Sequence, residues 1–230
     1  MKKSLIILLT VAFTFVACFS FNAFFSEKIT VNSLYSLMGK CIVIDAGHGG
    51  ADAGTVAQDG TLEKDINLSI ALKLYDFLNV CGINCKLIRD DDSEFYKPGE
   101  ERNRSDLYNR LDYVNSIDNS ILVSIHQNHF PDTSQWGMQV WYTANEKSSK
   151  ALADSILFYD KVYLQKNNKR INKESDDSYY ILYNAQSPSV MVECGFMSNY
   201  EENNLLKDNL YQNKLACVIA YGINQYLEQR

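Results

Sequence analysis

Apolar and polar positions fall into short segments whose period switches repeatedly along the chain. Cys41-Ile-Val-Ile-Asp45 is an apolar run that stops at a glycine-rich loop, the pattern of a buried strand. From Glu63 to Val80 the apolar residues Ile66, Ile70, Leu74, Phe77 and Leu78 recur at helical spacing until Gly82 interrupts them. Ile83 to Arg89 reads as a second strand, Asp90 to Glu101 as a surface loop, and Arg102 to Ile117 as a helix with Leu107, Leu111, Val114 and Ile117 on one side. Ser120 to His126 is a third strand. Strands alternating with helices in this way predict a single α/β domain, a mostly parallel twisted sheet of about six strands with helices on both faces.

The second half is less regular. Trp136 to Thr143 alternates as a strand would and is a candidate antiparallel edge, and Ser149 to Gln165 is an amphipathic helix. Tyr179 to Tyr183 and Val190 to Glu193 are two further strand candidates. Ser198-Asn199-Tyr200-Glu201 has the form of a capping box opening a short helix, and Leu210 to Leu227 closes the chain as a helix. No internal repeat or low-complexity tract interrupts this, so residues 40–230 are expected to form one domain.

The N-terminus has a different character. Lys2 and Lys3 precede an uncharged apolar run of 22 residues, Ser4 to Phe25. Basic first and apolar next is the order of an export signal, and the run is long enough to span a bilayer. Residues 1–26 are therefore expected to be a signal peptide or a signal anchor. Cys18-Phe19-Ser20 offers a small-x-small cleavage site; Phe15 makes Cys18 a poor lipidation site. The expected location is across the cytoplasmic membrane, either released or held by this segment.

The 230 residues carry a net charge of −6 with a pI near 5.1. An acidic body repels polyanions, so nucleic acid is excluded as the main partner and a membrane is expected to be met only through the N-terminal segment. Of six cysteines, Cys41, Cys194 and Cys217 read as small buried hydrophobes. Cys81 and Cys85 are close enough in sequence for a bridge, and no second pair completes a tetrahedral metal site with them.

The candidate chemistry gathers at predicted strand ends. There are three histidines, His48, His126 and His129. His48 follows the first strand, His126 ends the third, Glu63 opens the first helix and Glu193 ends the last strand. The carboxyl ends of strands form the functional edge of an open α/β sheet, so these groups should meet on one rim. Two imidazoles and one carboxylate make a three-ligand set suited to zinc, with a position left for water. A further carboxylate outside that set can move the water's proton. Taken singly, each has an ordinary reading: a satisfied histidine, a helix N-terminal charge, a paired carboxylate.

The local sequences carry a resemblance. Ile42-Val-Ile-Asp-Ala-Gly-His-Gly-Gly-Ala-Asp-Ala-Gly54 resembles the opening motif of the zinc-dependent N-acetylmuramoyl-L-alanine amidases, the Amidase_3 family. Leu62 to Leu72 is similar to its second motif, Val123-Ser-Ile-His-Gln-Asn128 to its third and Ser189 to Asn199 to its fourth. The resemblance runs from about Cys41 to the C-terminus. It implies Zn2+ held by His48, Glu63 and His126, with Glu193 as the catalytic general base and acid. It also implies a peptidoglycan substrate, cleaved at the amide between N-acetylmuramic acid and L-alanine. Ala46 stands where many members have proline, and His129 is not a family ligand. The helical insert that plugs the site in some members is not evident between Gln135 and Ala151.

The compact layout most resembles the germination-specific amidases of spore-forming bacteria, the CwlD type. That implies action on spore cortex toward muramic-δ-lactam, in the forespore intermembrane space, with an activating protein partner as known for some members. Around the site, Asp45 is expected to orient His48 or to cap its strand. Trp136, Trp141 and Tyr142 are expected to line the glycan side or to pack an edge strand. Arg104 and Arg110 are candidates to pair a stem-peptide carboxylate, or solvated helix charges. Two other functions fit the same residues: a zinc peptidase acting on stem peptides, and a non-catalytic peptidoglycan-binding module. The separation of His48 and Glu63, fifteen residues apart, speaks against the compact motif of the first, and the complete ligand set with Glu193 against the second.

Overall fold

A computed structural model describes residues 39–95 and 102–229, without the side chains of residues 102–104. The expected signal segment at residues 1–26, the second half of the Asp90–Glu101 loop and the side chain of Arg104 lie outside the described residues. Six strands, β1 (Cys41–Ala46), β2 (Cys85–Leu87), β3 (Ser120–Asn128), β4 (Gln139–Tyr142), β5 (Lys173–Glu174) and β6 (Ser189–Phe196), form one sheet in the order β2-β1-β3-β6-β4-β5. The first four in that order are mutually parallel; β4 runs antiparallel to β6, and β5 pairs parallel with β4.

Among the described residues six helices cover this sheet: α1 (Glu63–Val80), α2 (Arg102–Asn115), α3 (Ser148–Tyr163), α4 (Tyr180–Asn184), α5 (Tyr200–Lys207) and α6 (Asn209–Glu228). The larger core lies on one face, where Ile42, Ile44, Val123, Ile125, Val190 and Val192 meet Ile70 and Leu74 of α1, Ile156 of α3 and Ile219 and Ile223 of α6. Burying each such side chain contributes about 1.5–3 kcal/mol before chain entropy is set against it. Helices α3 and α6 touch closely because Gly222 has no side chain; a Cβ there would lie 2.7 Å from Ile156 Cα. The opposite face is a smaller cluster in which Val43 and Leu122 meet Val114 of α2 and Ile181 and Leu182 of α4. The α/β architecture with helices on both faces is as expected. Among the described residues no helix is long and apolar enough to cross a membrane.

Four expectations are corrected. Tyr179 to Tyr183 is not a strand: Ile181 and Leu182 are both buried, and adjacent residues can face the same core on a helix but not on an alternating strand. Strand β4 is shorter than the Trp136–Thr143 pattern and is not the edge, because the exposed polar pair Lys173–Glu174 adds β5 outside it. The cap of α5 is Asn199, whose side chain accepts from the Glu202 amide, so the Ser198 box is displaced by one residue. Cys217 faces solvent, unlike buried Cys41 and Cys194; Cys81, exposed, and Cys85, buried, are both free thiols.

Candidate active site

At the carboxyl end of β1 the chain turns sharply, and His48 adopts a left-handed backbone, φ 62°. That conformation costs a non-glycine residue energy, so it needs external support. Arg110 of α2 supplies it. Its Nη2 donates to the His48 carbonyl (2.8 Å), Nη1 to the Ala46 carbonyl (2.9 Å) and to Asp45 Oδ1 (2.6 Å), and Nε to Asp106 (2.9 Å). Arg110 is only 2% exposed and Asp45 1%. Arg110 is therefore neither a solvated helix charge nor open to a substrate carboxylate. Asp45 does not touch His48; its second oxygen accepts from Ser124 Oγ (2.7 Å). Burial would raise the Asp45 carboxyl, but Arg110, His126 and Ser124 hold it below its ordinary range. Arg89 completes the brace from the strand β2 side, donating to the carbonyls of Ala46, Gly47 and Lys64.

Glu63, the first residue of α1, is buried beneath this turn. Its Oε2 accepts from the Thr55 amide (2.9 Å), and its Oε1 from the Gln127 amide (3.1 Å) and Asn67 Nδ2 (3.2 Å). The same oxygen lies 3.0 Å from His126 Nδ1 and 3.4 Å from His48 Nε2. One donor atom from each of His48, Glu63 and His126 fits within 4.8 Å of the others. The two imidazoles meet edge to face with centroids 4.9 Å apart. Glycine makes the approach feasible: a Cβ on Gly47 would fall 2.1 Å from His126 Nε2, and one on Gly54 (φ 63°) 2.5 Å from His48 Cδ2. His129 is exposed and stands apart from this group.

Glu193 sits beside the group because β3 and β6 are parallel neighbours in which His126 and Glu193 are register partners. Its Oε2 is buried with no hydrogen-bond partner among the described residues. Burial pushes the carboxyl up to about 7, His126 and His48 offsetting this in part while Glu63 adds to it. Glu63 behaves oppositely: burial would raise it, but hydrogen bonds to His126 and His48 hold it far below the usual carboxylate range. His48 loses stability for its charge through burial, yet hydrogen bonds to Asp52 and Glu63 outweigh this and raise it to about 10. Glu63, Asp52 and Glu193 thus stand around the two imidazoles.

The donor set fits zinc. A tetrahedral ion with ligands about 2.0–2.1 Å away spaces them about 3.3 Å apart, close to the separations from Glu63 to each imidazole. Sequence reading missed Asp52, whose Oδ2 lies 2.8 Å from His48 Nδ1 and fixes that ring. Its signal was its place four residues after His48 in the same motif. Also missed was Asn67, one helical turn after Glu63, which ties it to the Gly47 carbonyl (3.1 Å) and accepts from Gln127 Nε2 (3.1 Å). Trp136 is half exposed, while Trp141 packs on Tyr179 and Tyr142 on the core.

Comparison with known proteins agrees with this arrangement. The Amidase_3 model, described as N-acetylmuramoyl-L-alanine amidase, matches residues 42–225. The germination-specific N-acetylmuramoyl-L-alanine amidase of Bacillus subtilis strain 168 is 31% identical over 204 residues, 84% of this chain and 82% of the relative. The solved structure of the CwlD amidase from Clostridioides difficile, in complex with the GerS lipoprotein, is 40% identical with a TM-score of 0.79, covering 83% of this chain and all of that one. AmiC2 of Nostoc punctiforme, also an N-acetylmuramoyl-L-alanine amidase, is 31% identical with a TM-score of 0.72 over 84% of this chain and 98% of its own. With its sheet, its motifs and nearly all of its described length accounted for in this way, the chain belongs to the N-acetylmuramoyl-L-alanine amidase family, enzymes that act on peptidoglycan.

Proposed function

We propose that the enzyme is a zinc hydrolase in which His48, Glu63 and His126 hold the metal and Glu193 is the general base and then the general acid. The observation that carries this reading is the convergence of those three donors within 4.8 Å of one another, with Glu193 as the next side chain on the same sheet face. Zinc in such a site supplies a Lewis acid that acidifies water and polarises the carbonyl under attack. The protein's residues do the rest. Glu193, whose unpartnered oxygen is free to accept, takes the proton from the attacking water and delivers it to the nitrogen of the departing L-alanine. Burial, which raises this carboxyl, favours its taking up the proton. Asp52 holds the His48 ring, and the Thr55 and Gln127 amides with Asn67 fix Glu63, so the donors are oriented before any ligand arrives.

The substrate is the amide between the lactyl group of N-acetylmuramic acid and L-alanine. The germination-specific relative supports spore cortex as the setting, where this cut leads toward muramic-δ-lactam. The complex of the CwlD structure with a lipoprotein supports an accessory protein partner here as well. Residues 1–26 act as the export signal or anchor, and residues 40–230 as the catalytic domain. Mass spectrometry of muropeptides digested by the zinc-loaded protein tests the activity. Glycan strands with free lactyl groups are expected; trimmed stem peptides, or material left unchanged when the partner protein is supplied as well, would refute the amidase mechanism.

A further inference from the structure

The row of side chains on the catalytic face continues past Glu193. Gln139 is its partner in the antiparallel pair of β4 and β6, so the two point to the same face. Gln139 Nε2 donates in turn to the Ile171 carbonyl (3.1 Å) just ahead of β5. Two residues along, Trp141 pairs with Lys173, whose Nζ stands 5.0 Å from the Trp141 ring centroid. Helices α2 and α4 cover the β1 and β3 half of this face. Beside the β4–β5 half lies a groove of about 750 Å³ lined by Gln135, Trp136, Gln139, Lys169, Arg170 and Lys173.

The groove is cationic on an acidic protein. Residues 166–173 (KNNKRINK) hold Lys166, Lys169, Arg170 and Lys173 and no acid, in a chain of net charge −6. Glu174 follows but alternates to the other face. Arg170 is committed to the wall: it donates to the Trp136 carbonyl (2.7 Å) and Gln135 Oε1 (2.9 Å) and lies 4.1 Å over the Phe196 ring of β6. Lys169 and Lys173 are exposed. Among the described residues, the ion pairs of lysine and arginine involve Lys64, Arg110, Lys150 and Lys207 instead.

Distance and charge together select an occupant. Two strand spacings of about 4.8 Å and a two-residue offset of about 7 Å along the strands put the β5 backbone at Lys173 about 12 Å from Glu193. An extended peptide advances about 3.4 Å per residue, so the third residue beyond a scissile amide at Glu193 comes near Lys173, and the length of the lysine side chain brings the second within reach. N-acetylated sugars are neutral, whereas the stem peptide carries free carboxylates. We infer that the β4–β5 groove is the stem-peptide subsite, with Lys169 and Lys173 receiving the peptide's carboxylates. This assignment rests on the amidase reading above.

Binding can be read without turnover. Isothermal titration of the zinc-loaded full-length chain uses two probes, L-Ala-γ-D-Glu-L-Lys and the same peptide with D-isoglutamine in place of D-Glu. The acidic probe is expected to bind the parent more tightly and to lose about tenfold in affinity in the K169E/K173E double variant, with K169Q/K173Q between them. The amidated probe should respond much less. Equal binding of the acidic peptide by parent and variant, an equal loss for both probes, or no binding by the parent at millimolar peptide would each overturn the assignment. A parent that binds but does not release stem peptides from muropeptides contradicts the amidase mechanism instead.

Discussion

Removing the Arg110 guanidinium should loosen the fold and the catalytic turn together. In Arg110→Met the buried Asp45 carboxylate loses its ion pair and keeps only Ser124, and the carbonyls of Ala46 and His48 lose a donor. Breaking a buried pair from one side costs about 3–5 kcal/mol, chiefly through the charge left behind. A protein of this size shifts its melting temperature about 2–4 °C per kcal/mol, so the variant should melt roughly 10 °C below the parent. Melting is measured with a chelator present, which keeps metal affinity from adding to the difference. Adding Asp45→Asn removes the stranded charge and should restore part of the loss. The pH dependence has a defined sign. In the parent the Asp45 carboxyl is depressed, so its contribution is present above the unfolded value near 3.8 and lost as pH falls through the folded value. In the variant burial is opposed only by His126 and Ser124, and as the largest influence it raises that carboxyl, so stability rises as pH falls. The two melting curves should therefore converge on acidification. A variant that melts within about 2 °C of the parent at neutral pH would refute the brace.

The remaining expectations concern the site itself. Glu193→Gln should keep zinc, by elemental analysis, yet lose about 10²–10⁴-fold in kcat; normal turnover would remove Glu193 from proton transfer. Gly47→Ala should weaken zinc binding without loss of far-UV dichroism, since its Cβ would fall 2.1 Å from His126 Nε2; unchanged affinity would contradict the required close approach. With His48 raised to about 10 in the metal-free protein, zinc must displace a proton at neutral pH. Its affinity should rise with pH, and titration heats should differ between buffers of unlike ionisation enthalpy; buffer-independent heats would argue against a protonated His48.

Much of the parallel half was legible in the sequence because its signals are local. Strands β1 and β3 are continuous apolar runs, and α1 carries helical spacing over its full length, so their ends located His48, Glu63 and His126. Strand β5 was illegible because two exposed polar residues carry no hydrophobic period; only the backbone of β4 selects them. Helix α4 was misjudged for a related reason, a short apolar run having no period long enough to separate helix from strand. Arg110 was the main misjudgement at the site. Its neighbours in sequence predict a helix surface, whereas its partners Asp45, Ala46 and His48 lie more than sixty residues away. Asp52 stood in the quoted motif, but only the fold brings its carboxylate onto the second nitrogen of His48.

Anomalous diffraction at the zinc edge from zinc-loaded crystals puts the whole account to its hardest trial. A single strong peak about 2.0–2.2 Å from one donor atom each of His48, Glu63 and His126, with Glu193 beyond bonding distance, is the predicted result. A peak held by Glu193, or by residues elsewhere with these three side chains unliganded, would contradict it.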